Sequence, residues 1–201
     1  MRKILLIVAT FLLVVACSKD DVNEPKEPKP SLEQIEKNFP FLKVGHSWTY
    51  KYGSGHKNTY TFNEIIFFRG YAIYRFETDS LRNWYEFLAT DSTVLLSAMD
   101  NLLFKESYTV GEKWPNLYTW PLYGTPGTIS YITREVVSIN ETITVEAGTF
   151  EDCIKIREII FDAYDVEIDN RTYWLRNDIG IIKYKFETSG WIFYELKSKN
   201  F

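Results

Sequence analysis

The sequence predicts an all-β domain. It reads mainly as an antiparallel meander, barrel-like or bent into a strongly curved sheet, with one short N-terminal helix. Three features carry that expectation. From residue 41 onward apolar and polar residues alternate with a period of two, as strands with one buried face require. Turn-forming pairs such as Arg69-Gly70, Asp91-Ser92 and Ser189-Gly190 break these runs at close intervals. No long helical repeat separates the strands, which argues against a parallel α/β fold. With 201 residues, 45% hydrophobic and 17% aromatic, the chain has the apolar content for one packed core. That composition excludes a disordered or coiled-coil sequence.

Taken in order, residues 1–16 read as a lipoprotein signal peptide. Arg2 and Lys3 precede an apolar run from Ile4 to Val15, interrupted only by Thr10. A dozen residues fall short of the roughly 20 needed to span a bilayer. Val14-Val15-Ala16-Cys17 resembles the lipobox of bacterial lipoproteins, in which the cysteine is lipidated and becomes the first mature residue. Acylation of Cys17 would hold the chain on a membrane surface without a spanning helix. Residues 17–31 form the anchor and a tether, rich in charge and carrying three prolines, with too little apolar surface to order itself. Lys19-Asp20-Asp21 resembles the export signal of surface-displayed lipoproteins; a merely solvated tether accounts for it equally well.

Residues 32–201 are the single antiparallel domain. Ser31-Leu32-Glu33-Gln34 fits a capping box, and Leu32, Ile35 and Phe39 share a helical face before Pro40. Strands are expected through Trp48, Tyr50 and Tyr52, then over 57–68, 71–78, 84–89, 93–99 and near 102–105. After a long loop come strands over 128–139 and 142–146, with a turn at Asn140-Glu141. In the last third, Ile154 and Ile156 form one apolar face; so do Ile182, Tyr184 and Phe186, and Ile192, Tyr194 and Leu196. One echo stands out: Val44-Gly45-His46-Ser47-Trp48 recurs as Val110-Gly111-Glu112-Lys113-Trp114. In both, a glycine turn leads to a tryptophan placed to plug the end of the sheet.

Val145-Glu146-Ala147-Gly148-Thr149-Phe150, then Tyr173-Trp174-Leu175 and Gly180-Ile181-Ile182-Lys183-Tyr184, resemble segments of a group of bacterial outer-membrane lipoproteins. The opening Val44-Gly45-x-x-Trp48-x-Tyr50 matches them as well. The resemblance covers about residues 41–198 and implies a β-rich, barrel-like or half-barrel domain. It carries no catalytic residues.

The chemistry visible in sequence is sparse. His46, His56 and an isolated Cys153 make no metal-ligand cluster, so neither metal nor cofactor is expected. With Cys17 lipidated, Cys153 has no disulfide partner and reads as an inert thiol. Asp162, Asp165, Glu167 and Asp169 could hold calcium through oxygen ligands, though a charged hairpin explains them more simply. No Gly-x-Ser-x-Gly elbow is present. Glu158 shares parity with Ile154, Ile156 and Ile160 and so points at the core, either as an acid or ligand anchor or beside an arginine such as Arg134 or Arg157. The aromatic stretch between Trp114 and Gly127 reads as a long loop. Trp120 and Tyr118 or Tyr123 within it, with Trp114 at its start, could stack on a sugar or cover a cavity mouth. Asp79-Ser80-Leu81 and Asp91-Ser92-Thr93 resemble O-glycosylation acceptors of exported proteins.

Once the signal peptide is removed, 21 basic residues face 27 acidic ones, with no basic run. Nucleic acid is therefore not an expected partner. The leading expectation is a non-enzymatic lipoprotein of the outer membrane. It would hold to the membrane by its lipid and bind an apolar or glycan ligand or an envelope protein. The alternatives are a hydrolase of surface glycans, in which Glu158 would join a second acid in a cleft, and a purely structural accessory subunit.

Overall fold

Residues 28–78, 85–96, 101–118, 130–162, 164–189 and 192–201 are described by the computed structural model. The signal peptide, Cys17, most of the tether, Ser80, Trp120 and Tyr123 lie outside them. Helix α1 (Leu32–Asn38) begins where the capping box placed it, with the Ser31 hydroxyl accepting from the Gln34 N–H at 3.3 Å. Ile35 and Phe39 are fully buried, and Leu32 packs beside them. The helix is only seven residues long, so tertiary packing rather than propensity holds it.

Twelve strands follow: β1 (Ser47–Tyr52), β2 (Lys57–Phe68), β3 (Tyr71–Thr78), β4 (Tyr85–Ala89), β5 (Thr93–Leu96), β6 (Asn101–Lys105), β7 (Lys113–Tyr118), β8 (Ser130–Val145), β9 (Gly148–Phe161), β10 (Glu167–Arg176), β11 (Gly180–Phe186) and β12 (Ile192–Lys199). They form one sheet in the order β6-β5-β4-β3-β2-β1-β12-β11-β10-β9-β8-β7. All of the ladders described are antiparallel. The first strand pairs with the last: Tyr52 lies opposite Tyr194 and Trp48 opposite Lys199. The two edge strands, β6 and β7, are consecutive in the chain and joined by residues 106–112. The sheet is thus a curved ring of neighbours interrupted at one seam. Lys105 and Glu112 form an ion pair across the root of that connection, and the Asn177 side chain donates to the Lys105 carbonyl at 2.7 Å.

The echoed motif marks two equivalent six-stranded halves, β1–β6 and β7–β12. Gly45 and Gly111 both take positive φ, 89° and 83°. The Gly45 N–H donates to the Phe62 carbonyl at 2.8 Å, and the Phe62 N–H returns to His46 at 3.0 Å. The Gly111 N–H donates to Val136 at 2.8 Å, and the Val136 N–H returns to Glu112 at 3.0 Å. By this equivalence the open seam β6/β7 corresponds to the paired junction β12/β1.

Two expectations need correction. The stretch after Trp114 is not loop from its start, because Lys113 to Tyr118 form β7 despite Pro115. A proline is tolerated there since β7 is an edge strand with an N–H row to spare. Nor does the chain turn at Asn140-Glu141. β8 runs through to Val145, and register shifts between Val136 and Ile143 absorb the polar residues as bulges. The turn comes at Glu146-Ala147, inside the Val145–Phe150 segment. That tip bends onto β12: the Ala147 N–H donates to Leu196 at 3.2 Å and Glu146 takes Lys197 at 2.7 Å. Val145, Phe150 and Cys153 are buried behind it.

One end of the ring is capped. Helix α1 and the following Phe39, Phe41 and Leu42, all essentially unexposed, fill it where β1 and β7 begin. Trp48 donates its indole N–H to the Ile179 carbonyl at 2.7 Å, fixing the cap to the β10–β11 turn. Gly180 lets the backbone pass there: it has φ 93°, and an added Cβ would sit 3.4 Å from the Phe41 ring.

Candidate functional site

Alternation along β1 sends Trp48, Tyr50 and Tyr52 to the inner face, and the β1–β12 pairing sets Tyr194 beside them. From the other side β2, β3, β4 and β5 contribute Tyr60, Phe76, Phe87 and Leu96, and β11 contributes Ile181. These side chains, with Phe41 and Gly180 at the capped end, enclose a cavity of about 180 Å³. Edge-to-face and tilted contacts lock the wall: Tyr50 lies 4.8 Å from Tyr194 and 5.7 Å from Tyr60, Tyr60 5.4 Å from Phe76, and Phe76 5.6 Å from Phe87. Phe41 and Trp48 close the inner end, whereas Tyr52 and Tyr60 at the far end remain half-exposed.

The polar side-chain atoms of Trp48, Tyr50, Tyr52 and Tyr60 in this wall are turned to each other or to the backbone. The Tyr50 hydroxyl donates to the Ile181 carbonyl at 2.8 Å, and the hydroxyls of Tyr52 and Tyr60 are hydrogen-bonded together. Burial pushes the Tyr50 and Tyr194 phenols far above their ordinary value, and neighbouring tyrosines add to the rise. The wall carries no ionised group at neutral pH. Apolar cavities of about 150 Å³ stay dry and accept a benzene-sized molecule, whereas drug-sized sites begin near 300 Å³. The space therefore suits one aromatic ring or a short alkyl segment. A sugar would leave its hydroxyl groups without partners there.

The residues singled out in sequence sit elsewhere. Glu158 is inward-facing and fully buried, as its parity requires. Its Oε2 accepts from Arg134 Nε at 2.9 Å and Nη2 at 2.7 Å. Its Oε1 accepts from Arg171 at 3.4 Å and from the Tyr173 hydroxyl at 3.3 Å. Arg134 is itself completely enclosed. Cross-strand register lines Trp114, Arg134, Glu158, Arg171 and Phe186 in one row over β7 to β11. Trp114 and Glu158 thus share this row with Arg134 between them, and neither lines the aromatic cavity. Trp114 is half-buried under the Lys105 ammonium, 5.4 Å from its ring. Tyr118 ends β7 at the same end of the sheet as Tyr52 and Tyr194.

Three of the four carboxylates considered for calcium, Asp162, Asp165 and Asp169, are engaged within the chain. Asp162 accepts the N–H groups of Tyr164 and Val166, Asp165 accepts the Tyr131 hydroxyl, and Asp169 pairs with Arg171. Among the described residues no group of three metal-capable side chains converges. Ser92 is exposed on the β4–β5 turn.

The cavity wall was visible only in pieces. Its aromatics on β1 and β12 read as two strand faces more than 140 residues apart, and nothing local says those strands adjoin.

No protein-family model and no curated protein matches the chain. Two solved structures resemble it in shape, each at 13% identity. A protein assigned as exported, with a YmcC-like fold, from Bacteroides fragilis NCTC 9343 aligns over 79% of this chain and 97% of its own, with a TM-score of 0.43. A protein assigned as a lipoprotein, from Parabacteroides distasonis ATCC 8503, aligns over 79% and 96%, with a TM-score of 0.45. At those scores neither bears on the assignment of a function.

Proposed function

We propose that this chain is a lipid-anchored, non-enzymatic lipoprotein of the outer membrane that binds a small apolar or aromatic group inside its curved sheet. The aromatic cavity of about 180 Å³ between β1, β12 and β2 to β5 carries the reading. The anchor rests on the lipobox-like Val14-Val15-Ala16-Cys17. Among the described residues no helix is long and apolar enough to cross a membrane. An apolar ligand is favoured over a glycan because the Tyr50, Tyr52 and Tyr60 hydroxyls of the wall already satisfy one another or the backbone. Glu158 does not favour glycan hydrolysis: it is fully buried and both of its oxygens are held by arginines and Tyr173.

Fluorine NMR of fluorobenzene tests the binding. The ligand line should shift and broaden with the wild-type protein and stay as in buffer with Leu96→Phe, which fills the wall with one more ring. An unchanged line with folded wild-type protein would remove the cavity from the function.

A further inference from the structure

The exposed apolar residues are not spread evenly. Nine large apolar side chains among the described residues are exposed, and six of them lie at the capped end: Val44, Phe67, Phe68, Val110, Val137 and Ile139. Val44 and Val110 directly precede the two echoed glycines. Val137 and Ile139 lie on β8 beyond the start of β7, and Phe67 and Phe68 end β2 at a hairpin projecting past the start of β1. Phe68 is 58% and Val110 56% exposed, so these are not edges of the core. The other three lie at the far end, Tyr164 and Val166 in the β9–β10 connection and Ile168 at the start of β10.

The tether reaches the same end. Lys29 places its ammonium 5.3 Å from the Phe67 ring, and Arg69 lies 5.2 Å from the ring of Phe68. Eleven residues separate Lys29 from Cys17. Fully extended they span about 40 Å, and the three prolines nearby cannot lengthen that reach. A chain held at Cys17 therefore keeps the capped end, where the tether joins the domain, within that distance of the bilayer and makes it the end nearest the anchor.

We infer that the capped end, led by the Phe67-Phe68 hairpin tip, rests in the interfacial layer of the leaflet that holds the lipid on Cys17. This rests on the anchored reading above. Aromatic rings inserted among headgroups with cations beside the phosphates are the usual composition of an interfacial contact. A short tether supplies an effective concentration in the millimolar range, so even a weak patch stays engaged. The contact orients the molecule: the half-exposed Tyr52-Tyr60 end of the cavity faces away from the bilayer.

The test uses full-length acylated protein, reconstituted in vesicles of phosphatidylethanolamine and phosphatidylglycerol, with an environment-sensitive nitrobenzoxadiazole label at Phe68→Cys or Tyr164→Cys. Cys153 is enclosed and does not compete for label. Vesicle flotation reads the anchor, and quenching by nitroxide-labelled lipid reads the contact. The label at position 68 should move to blue emission and lose most of its intensity to the lipid quencher, while the label at 164 stays water-like. Protein that floats with a water-like label at 68 overturns the contact and leaves the anchor standing, as does shielding at 164 instead. Shielding at 68 that appears only in native envelope and not in pure lipid assigns the patch to a protein partner and overturns it too. Protein that fails to float, behaving like Cys17→Ser, overturns both.

Discussion

A carboxylate enclosed between two guanidinium groups is stable only as a set. Glu158 neutralises Arg134 and Arg171, and Asp169 on the neighbouring residue pair balances the second arginine at 2.7 Å. Glu158→Ala strands the fully buried Arg134 guanidinium without its carboxylate, so unfolding by urea should show a loss of about 3–5 kcal/mol. A loss below about 1 kcal/mol would mean the row is solvated. Single residues also set an alkaline limit. Burial pushes the Cys153 thiol from 9.0 up to about 11, and it raises the phenols of Tyr50, Tyr173, Tyr184 and Tyr194 above 10.0. An acid whose folded value is raised holds its proton better in the native state. Its contribution is whole below the unfolded value and drains away as pH climbs through the folded one. The melting temperature should hold up to about pH 9 and then fall, and Cys153→Ala should delay the first part of the fall, before about pH 11, leaving the tyrosine part. The parity of β9 made the inward direction of Glu158 legible in sequence, and Arg134 was a named candidate partner. Arg171 was not, because its place depends on the register of β10, which no local pattern states.

Each half of the sheet opens with the same device, a glycine with positive φ that hands its N–H to the second strand. Added Cβ atoms at Gly45 and Gly111 would meet nothing within 4 Å, so alanine there carries only the conformational penalty, about 1 kcal/mol each. Gly180→Ala should cost about the same, since it shares the positive φ and its added Cβ would meet the Phe41 ring at 3.4 Å, an ordinary van der Waals contact. Thermal unfolding of the three variants checks this; a clearly larger loss at Gly180 would mean that the Phe41 ring is displaced. These elements also show how far local pattern reaches. The predicted strands 57–68 and 71–78 coincide with β2 and β3, because the Arg69-Gly70 turn separates two strand-forming runs rich in β-branched and aromatic residues. β7 was hidden by Pro115, and β8 was split in expectation because Asn140-Glu141 has turn chemistry. In both places the rest of the sheet overrides local preference: an edge accepts the proline, and successive bulges accept the polar pair.

At the scale of the molecule, the ring has two junctions between its halves that descend from one geometry but differ in fate. Five residue pairs join β1 to β12, from Trp48–Lys199 to Tyr52–Tyr194, and the aromatic cavity is built against that junction. At the other junction no ladder joins β6 to β7 among the described residues; the Lys105–Glu112 pair and residues 106–112 span it instead. An edge strand lacks hydrogen-bond partners on one side and opens without breaking the rest of the sheet. Neither fact is readable in a linear pattern, since both turn on which distant strands meet. They predict an order of opening. In hydrogen exchange followed by mass spectrometry, peptides from β6 and β7 should exchange well before those from β1 and β12, although β1 and β12 are the first and last strands of the chain. Charge reversal at the seam, Glu112→Lys, should accelerate exchange in β6 and β7 and leave β1 and β12 unmoved. If β1 and β12 opened as early as β6 and β7, the molecule would behave as two separate six-stranded sheets, and a cavity wall that draws on both halves would not persist long enough to hold a ligand.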